Sequence, residues 1–126
     1  MFKCSADRHK NILFINFNGS PDELHLKMAS DEIINKAKKL VVPFDIINDI
    51  SSFHTTSVKG FIIIKDLITE LEKMGLGRVV RITEPNELQA KKFSEAKDNA
   101  KAKYKVRYAK NHERAVKLLE NAEEWK

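Results

Sequence analysis

Phe44-Asp45-Ile46-Ile47-Asn48-Asp49-Ile50-Ser51-Ser52-Phe53-His54-Thr55-Thr56-Ser57-Val58-Lys59-Gly60-Phe61 is the stretch whose reading decides the fold. Phe44 to Ile50 is apolar on both alternating sets apart from Asp45, Asn48 and Asp49, the pattern of a short strand buried on both faces. A hydroxyl-rich turn follows, and then the most apolar helix in the chain, opening at Thr56 or Ser57 and running to Met74. Its apolar set, from Val58 through Phe61, Ile62, Ile63, Ile64, Leu67, Ile68 and Leu71, covers more than one stripe. Such a helix needs cover on two sides, from the sheet and from a neighbouring helix or second subunit.

Upstream of this unit, Pro43 stops a helix that starts near Gly19-Ser20-Pro21-Asp22-Glu23 and continues to about Leu40. Ser20 is placed to cap it, Pro21 to occupy its first position and Glu23 to close a capping box. Leu26, Ala29, Ile33, Ala37 and Leu40 share one face. Before it, Phe2, Cys4 and Ala6 alternate with Lys3 and Ser5 as a rim strand, and a polar turn leads into Ile12 to Asn18. So short a turn makes these two strands antiparallel.

Downstream, Gly75 and Gly77 are placed to end the apolar helix, Arg78 to Thr83 reads as a strand, and Pro85-Asn86-Glu87 starts a third helix. Leu88, Phe93, Ala96 and Ala100 are its thin apolar edge. Tyr104, Val106 and Tyr108 alternate with Lys105 and Arg107 as a second rim strand. Asn111 caps a last helix whose buried stripe is expected to hold Ala115, Leu118, Leu119, Ala122 and Trp125. The order is β-β-α-β-α-β-α-β-α, an α/β domain, and strands joined through helices are expected to be parallel with right-handed crossovers. Residues 1–126 are expected to form one domain.

Composition bounds the function. At 42% apolar and 33% charged residues the chain has the make-up of a globular protein. The single Cys4 cannot form an internal disulfide, the opening residues are too polar for a signal peptide, and no apolar run reaches membrane-spanning length. The expected location is cytoplasmic. The net charge of +5 concentrates in Lys91, Lys92, Lys97, Lys101, Lys103, Lys105, Arg107 and Lys110, against only Glu95 and Asp98. A solvated face that keeps a sheet edge from pairing explains this better than nucleic-acid binding, because most of these charges lack an aromatic stacking platform.

The central stretch resembles one family. In the anti-sigma-factor antagonist, or STAS (SpoIIAA-like), domain, the corresponding strand ends Asp-Leu-Ser-x-Val-x-(apolar)-Ile-Asp-Ser-Ser-Gly-Leu. Asp49-Ile50-Ser51-Ser52-Phe53 matches the first half, and Gly60-Phe61 matches the close without a gap. Ser57 stands at the acidic position, Val58 at the serine that kinases phosphorylate, and Lys59 at the second serine. The resemblance implies a mostly parallel five-stranded sheet with helices packed mainly on one face, and a non-enzymatic domain that binds a protein partner. Valine has no hydroxyl, so the usual phosphoserine switch does not carry over.

The candidate partner- or anion-binding residues are Ser51, Ser52, His54, Thr55, Thr56, Ser57 and Gly60. They bring hydroxyls and an imidazole to a helix N-terminus at the C-terminal end of parallel strands, where free N–H groups and the dipole favour negative charge. Ordinary capping by Thr55 or Thr56 is the plainer reading of the same residues. A hydrolytic triad of Asp49, His54 and a serine lacks a nucleophile elbow. A receiver-like phosphoaspartate domain lacks the acidic pair at Asn16-Phe17-Asn18. His9, His25, His54 and His112 are too scattered for a metal, and no cofactor motif is legible. The resemblance to STAS-like groups also implies Asn16, Phe53, Phe61 and Trp125 as candidates to line a pocket for a lipid-like ligand, and the apolar second helix is a candidate homodimer surface.

Overall fold

The computed structural model describes residues 2–126. β1 (Phe2–Asp7) and β2 (Ile12–Gly19) form an antiparallel hairpin. α1 (Glu23–Ala37), β3 (Phe44–Phe53), α2 (Val58–Lys73), β4 (Leu76–Ile82), α3 (Leu88–Ala100), β5 (Lys105–Ala109) and α4 (His112–Glu120) follow, and a 3-10 turn at Ala122–Trp125 closes the chain. The sheet order is β1-β2-β3-β4-β5, with every pair after the first parallel. The expected α/β order and the two rim strands are therefore both present.

Alternation along the strands divides the sheet into two faces. Leu13, Ile15, Phe17, Ile46, Ile50 and Val79 point into the larger core, which α1, α2 and α3 cover. Ile12, Ile47, Val80 and Ile82 point the other way, toward α4 and Trp125. Three helices thus lie on one face and one short helix on the other.

Several boundaries differ from the sequence reading. β3 does not end at Ile50 but runs to Phe53, because a register shift between Asn16 and Asn18 lets Ser52 and Phe53 pair with Asn18 and Gly19. α1 is capped by Asp22, not Ser20: the Asp22 carboxylate accepts from the His25 N–H at 2.9 Å. The helix ends at Ala37, three residues early, in tight turns closed by Lys39 and Leu40 N–H groups. Gly75, with φ +104°, takes the left-handed position after α2, whereas Gly77 lies inside β4, where a Cβ would come within 3.2 Å of Pro43. On α3 it is Ala90 that joins Phe93 and Ala96 in the core, and Leu88 is exposed. On the last segment Asn111 caps as expected, Ala115, Leu119 and Trp125 are buried, and Ala122 is exposed.

α2 is the middle helix of its layer, packed against α1 on one side and α3 on the other. That provides the two-sided cover its composition requires, for Ile64, Leu67, Ile68 and Leu71. Val58 and Ile62 are left outside it, 78% and 47% exposed.

Candidate functional site

The turn from β3 to α2 is built by short local bonds. Asp49 Oδ1 accepts from both the Ser51 N–H at 3.0 Å and the Ser51 hydroxyl at 2.6 Å, so Ser51 folds back on its own strand. The Asn16 amide donates to Asp49 Oδ2 at 3.3 Å from the neighbouring strand. The His54 N–H donates to the Gly19 carbonyl at 2.8 Å, the last rung between β2 and β3. Its imidazole is exposed and has no partner among the described residues.

Ser57, not Thr55 or Thr56, is the cap of α2: its hydroxyl accepts from the Gly60 N–H at 3.0 Å. Thr56 has another task. Its hydroxyl donates to the Pro21 carbonyl at 3.0 Å and ties the start of α2 to the start of α1. The Thr55 hydroxyl reaches only the Thr56 carbonyl, at 3.4 Å. Gly60 is dictated by close approach: a Cβ there would lie 1.9 Å from Thr56 Oγ1 and 2.9 Å from Leu26 Cδ1.

These residues do not converge on one point. Thr55, Thr56 and Ser57 border a cleft of about 180 Å³ between α2 and α3, walled by Phe53, Phe61, Ile64 and Phe93, with Lys92 and Glu95 at its edge. Ser51 and His54 instead border a shallower groove of about 530 Å³ with Thr83, Leu88 and Lys110 at the strand ends. The buried Phe53 contributes to both. Ser52 is exposed and, like Gly60, lines neither.

The expected apolar pocket is half present. Phe53 and Phe61 share the cleft, but Asn16 lies beside Asp49 in a different groove, on the α4 side of the sheet, with Phe14 and His112. Trp125 is farther off, packed beneath Arg78 and Arg107 with each guanidinium 5.2 Å from its ring. The residues that sequence reasoning missed are Ile64 and Phe93. Phe93 makes an aromatic triangle with Phe17 and Phe53, at centroid separations of 6.2 and 5.7 Å. Its place on the apolar edge of α3 was readable; its meeting with β3 was not.

Arg81 is the other unforeseen residue. It is 1% exposed, on the α3 side of β4. Its Nη1 donates to Ser94 Oγ at 2.9 Å and to the Tyr108 hydroxyl at 3.2 Å, while Nη2 has no hydrogen-bond partner among the described residues. Burial pushes the neighbouring Tyr104 hydroxyl above its ordinary pKa, against the opposing pull of Arg81. Basic residues of the 91–110 stretch are partly absorbed in similar packing. Lys105 donates to the Trp125 carbonyl at 3.0 Å, Arg107 to the Glu124 carbonyl at 2.9 Å, and Lys97 lies 5.2 Å from the Tyr104 ring. Lys105 and Arg107 thus tie β5 to the turn at 122–125, while Lys91, Lys92, Lys101, Lys103 and Lys110 are exposed.

Among the described residues no cluster of three or more His, Cys, Asp or Glu is placed to hold a metal, and no helix is long and apolar enough to cross a membrane.

No protein-family model and no curated protein matches the chain. Solved structures do. An uncharacterised DUF3478-family protein from Shewanella loihica PV-4, described as having a SpoIIAA-like fold, superposes with a TM-score of 0.72 at 15% identity, over 94% of this chain and 93% of that one. The anti-sigma factor antagonist SpoIIAA in its unphosphorylated form superposes with a TM-score of 0.67, also at 15% identity, over 96% of this chain and 99% of that one. Identity this low speaks for architecture alone, and the architecture is unambiguous: the chain has the SpoIIAA-like, STAS-type fold.

Proposed function

We propose that this chain is a non-enzymatic regulatory domain that binds a protein partner through the turn at residues 51–60 and the adjoining face of α2. The observation that carries the reading is Val58 and Ile62: two large apolar side chains, one turn apart, exposed beside a polar turn on a helix whose other apolar side chains are buried or half-buried. Exposed apolar groups rimmed by polar ones are the usual mark of a contact surface. The structural kinship with an anti-sigma factor antagonist supports a regulatory role. A catalytic role has no such support: Asp49 is engaged by Ser51, and the His54 imidazole pairs with neither.

Photo-crosslinking in the native host tests this. A photoreactive residue at Ser52 or Val58 should capture one defined protein, and the same residue at Glu120, on α4, should not. Equal capture from both positions, or none from the turn, overturns the reading.

The cleft behind Ser57 favours a second reading, a carrier of a small apolar or anionic ligand. Its four apolar walls and about 180 Å³ suit a ring or a short chain, and the helix N-terminus suits an acid group. Native mass spectrometry of the protein from its own host separates the two: a stoichiometric copurifying small molecule supports the carrier, and an empty chain speaks against it.

A further inference from the structure

We propose that two copies of this chain associate through the α2 face, with Leu24 of each copy entering the α2–α3 cleft of the other. The inference rests on the interaction surface proposed above and names one occupant for it.

The complementarity begins with size. An apolar cavity of about 150 Å³ accommodates a benzene ring, so a cleft of about 180 Å³ takes one large aliphatic or aromatic side chain. Leu24 is such a group: it sits in the first turn of α1 and is 66% exposed. Charge agrees. Glu23, next to Leu24, makes no ion pair among the described residues, and neither does Lys59, next to Val58 at the mouth of the cleft. The first turn of α2 holds no acidic residue, so its positive end is uncompensated and suits an incoming carboxylate.

Placement makes the fit reciprocal. α1 and α3 flank α2 on opposite sides, at interaxial distances of about 8–10 Å for packed helices. A twofold axis through the outer face of α2 exchanges those two sides. It carries Leu24 of one copy onto the cleft of the other, and sets Val58 and Ile62 against their own counterparts. A closed, isologous contact is what such a self-complementary patch produces. A small ligand in the cleft would touch Val58 at its mouth but leave Ile62 wet; a second copy covers both. Because the contact includes Ser57 and Val58, self-association also hides the surface offered to a partner, and a partner must displace the second copy.

Sedimentation velocity across a wide concentration range tests the association directly. The unmodified chain should form a dimer that dissociates on dilution. Leu24→Asp and Lys59→Glu should each weaken it about tenfold or more, and far-ultraviolet circular dichroism should show both variants folded, since both positions are exposed. A chain that stays monomeric throughout, or a dimer indifferent to both substitutions, overturns the proposal. Geometry is checked by mixing Leu24→Cys with Val58→Cys under mild oxidation: a mixed disulfide dimer supports the arrangement, and no more of it than with Glu120→Cys as partner overturns it. Photo-crosslinking in the monomeric Leu24→Asp background keeps the two readings apart. A partner captured there upholds the regulatory surface even if the dimer fails.

Discussion

At the scale of single residues, the turn is held by groups whose contributions can be separated. Ser57 satisfies one of the free N–H groups at the start of α2, so Ser57→Ala should cost about 1 kcal/mol, read as a lower urea midpoint with unchanged m-value. Gly60→Ala should cost more, about 1–3 kcal/mol, because the added methyl has to push Thr56 off its bond to Pro21 and press on Leu26. Cys4 gives a pH signature. Burial raises its thiol from 9.0 to about 11, so the folded state prefers the neutral form. That preference is fully present below pH 9 and is lost as pH rises through 11, a contribution on the order of 2 kcal/mol. Urea titrations should therefore show the unmodified chain losing more stability than Cys4→Ala between pH 9 and 11; parallel curves would refute the assignment. The same raised value makes this thiol a poor nucleophile at neutral pH.

At the scale of elements, α2 shows how one helix serves both core and surface. Ile64 is 5% exposed and Val58 78%, though both belong to the same apolar run. Ile64→Ala should cost about 2–5 kcal/mol, while Val58→Gln should stay within about 0.5 kcal/mol of the unmodified chain; thermal or urea denaturation of the two variants checks the contrast. The sequence showed that α2 is too apolar for one stripe, from the run Phe61-Ile62-Ile63-Ile64. It did not show which residues escape cover, because that depends on where α1 and α3 dock. The candidate site followed the same division. Seven residues were legible as candidates at a helix start, but β3 takes up Ser51 and Ser52 as strand, and Phe53 stands between the cleft that Thr55, Thr56 and Ser57 border and the groove that Ser51 and His54 border. Phe93 and Ile64 were legible only as core.

At the scale of the whole molecule, the two faces of the sheet are unequal. α1, α2 and α3 cover one with an extensive core, and the other depends on the short α4, the Trp125 turn and the cations stacked on that ring. Segments with few buried apolar contacts open at lower free energy than the global barrier. Hydrogen exchange should therefore run faster in α4 and residues 122–125 than in β2, β3 and the central turns of α2. Equal protection would show that the α4 layer opens only with the rest of the fold. The Arg81 network belongs to this scale too, since it joins β4, α3 and β5 through Ser94 and Tyr108 in one bonded set.

Sequence alone determined the element order, the antiparallel first pair, the parallel remainder and the place of the turn, because period-two and period-3.6 patterns, Pro43 and the cap residues act over a few neighbouring positions. Only the tertiary structure decided that β3 extends to Phe53, that Arg81 is buried, and that Phe93 closes a cleft with Phe53. Each of those outcomes depends on a strand register or a helix docking angle, and so on contacts between residues far apart in the chain, which local periodicity cannot encode.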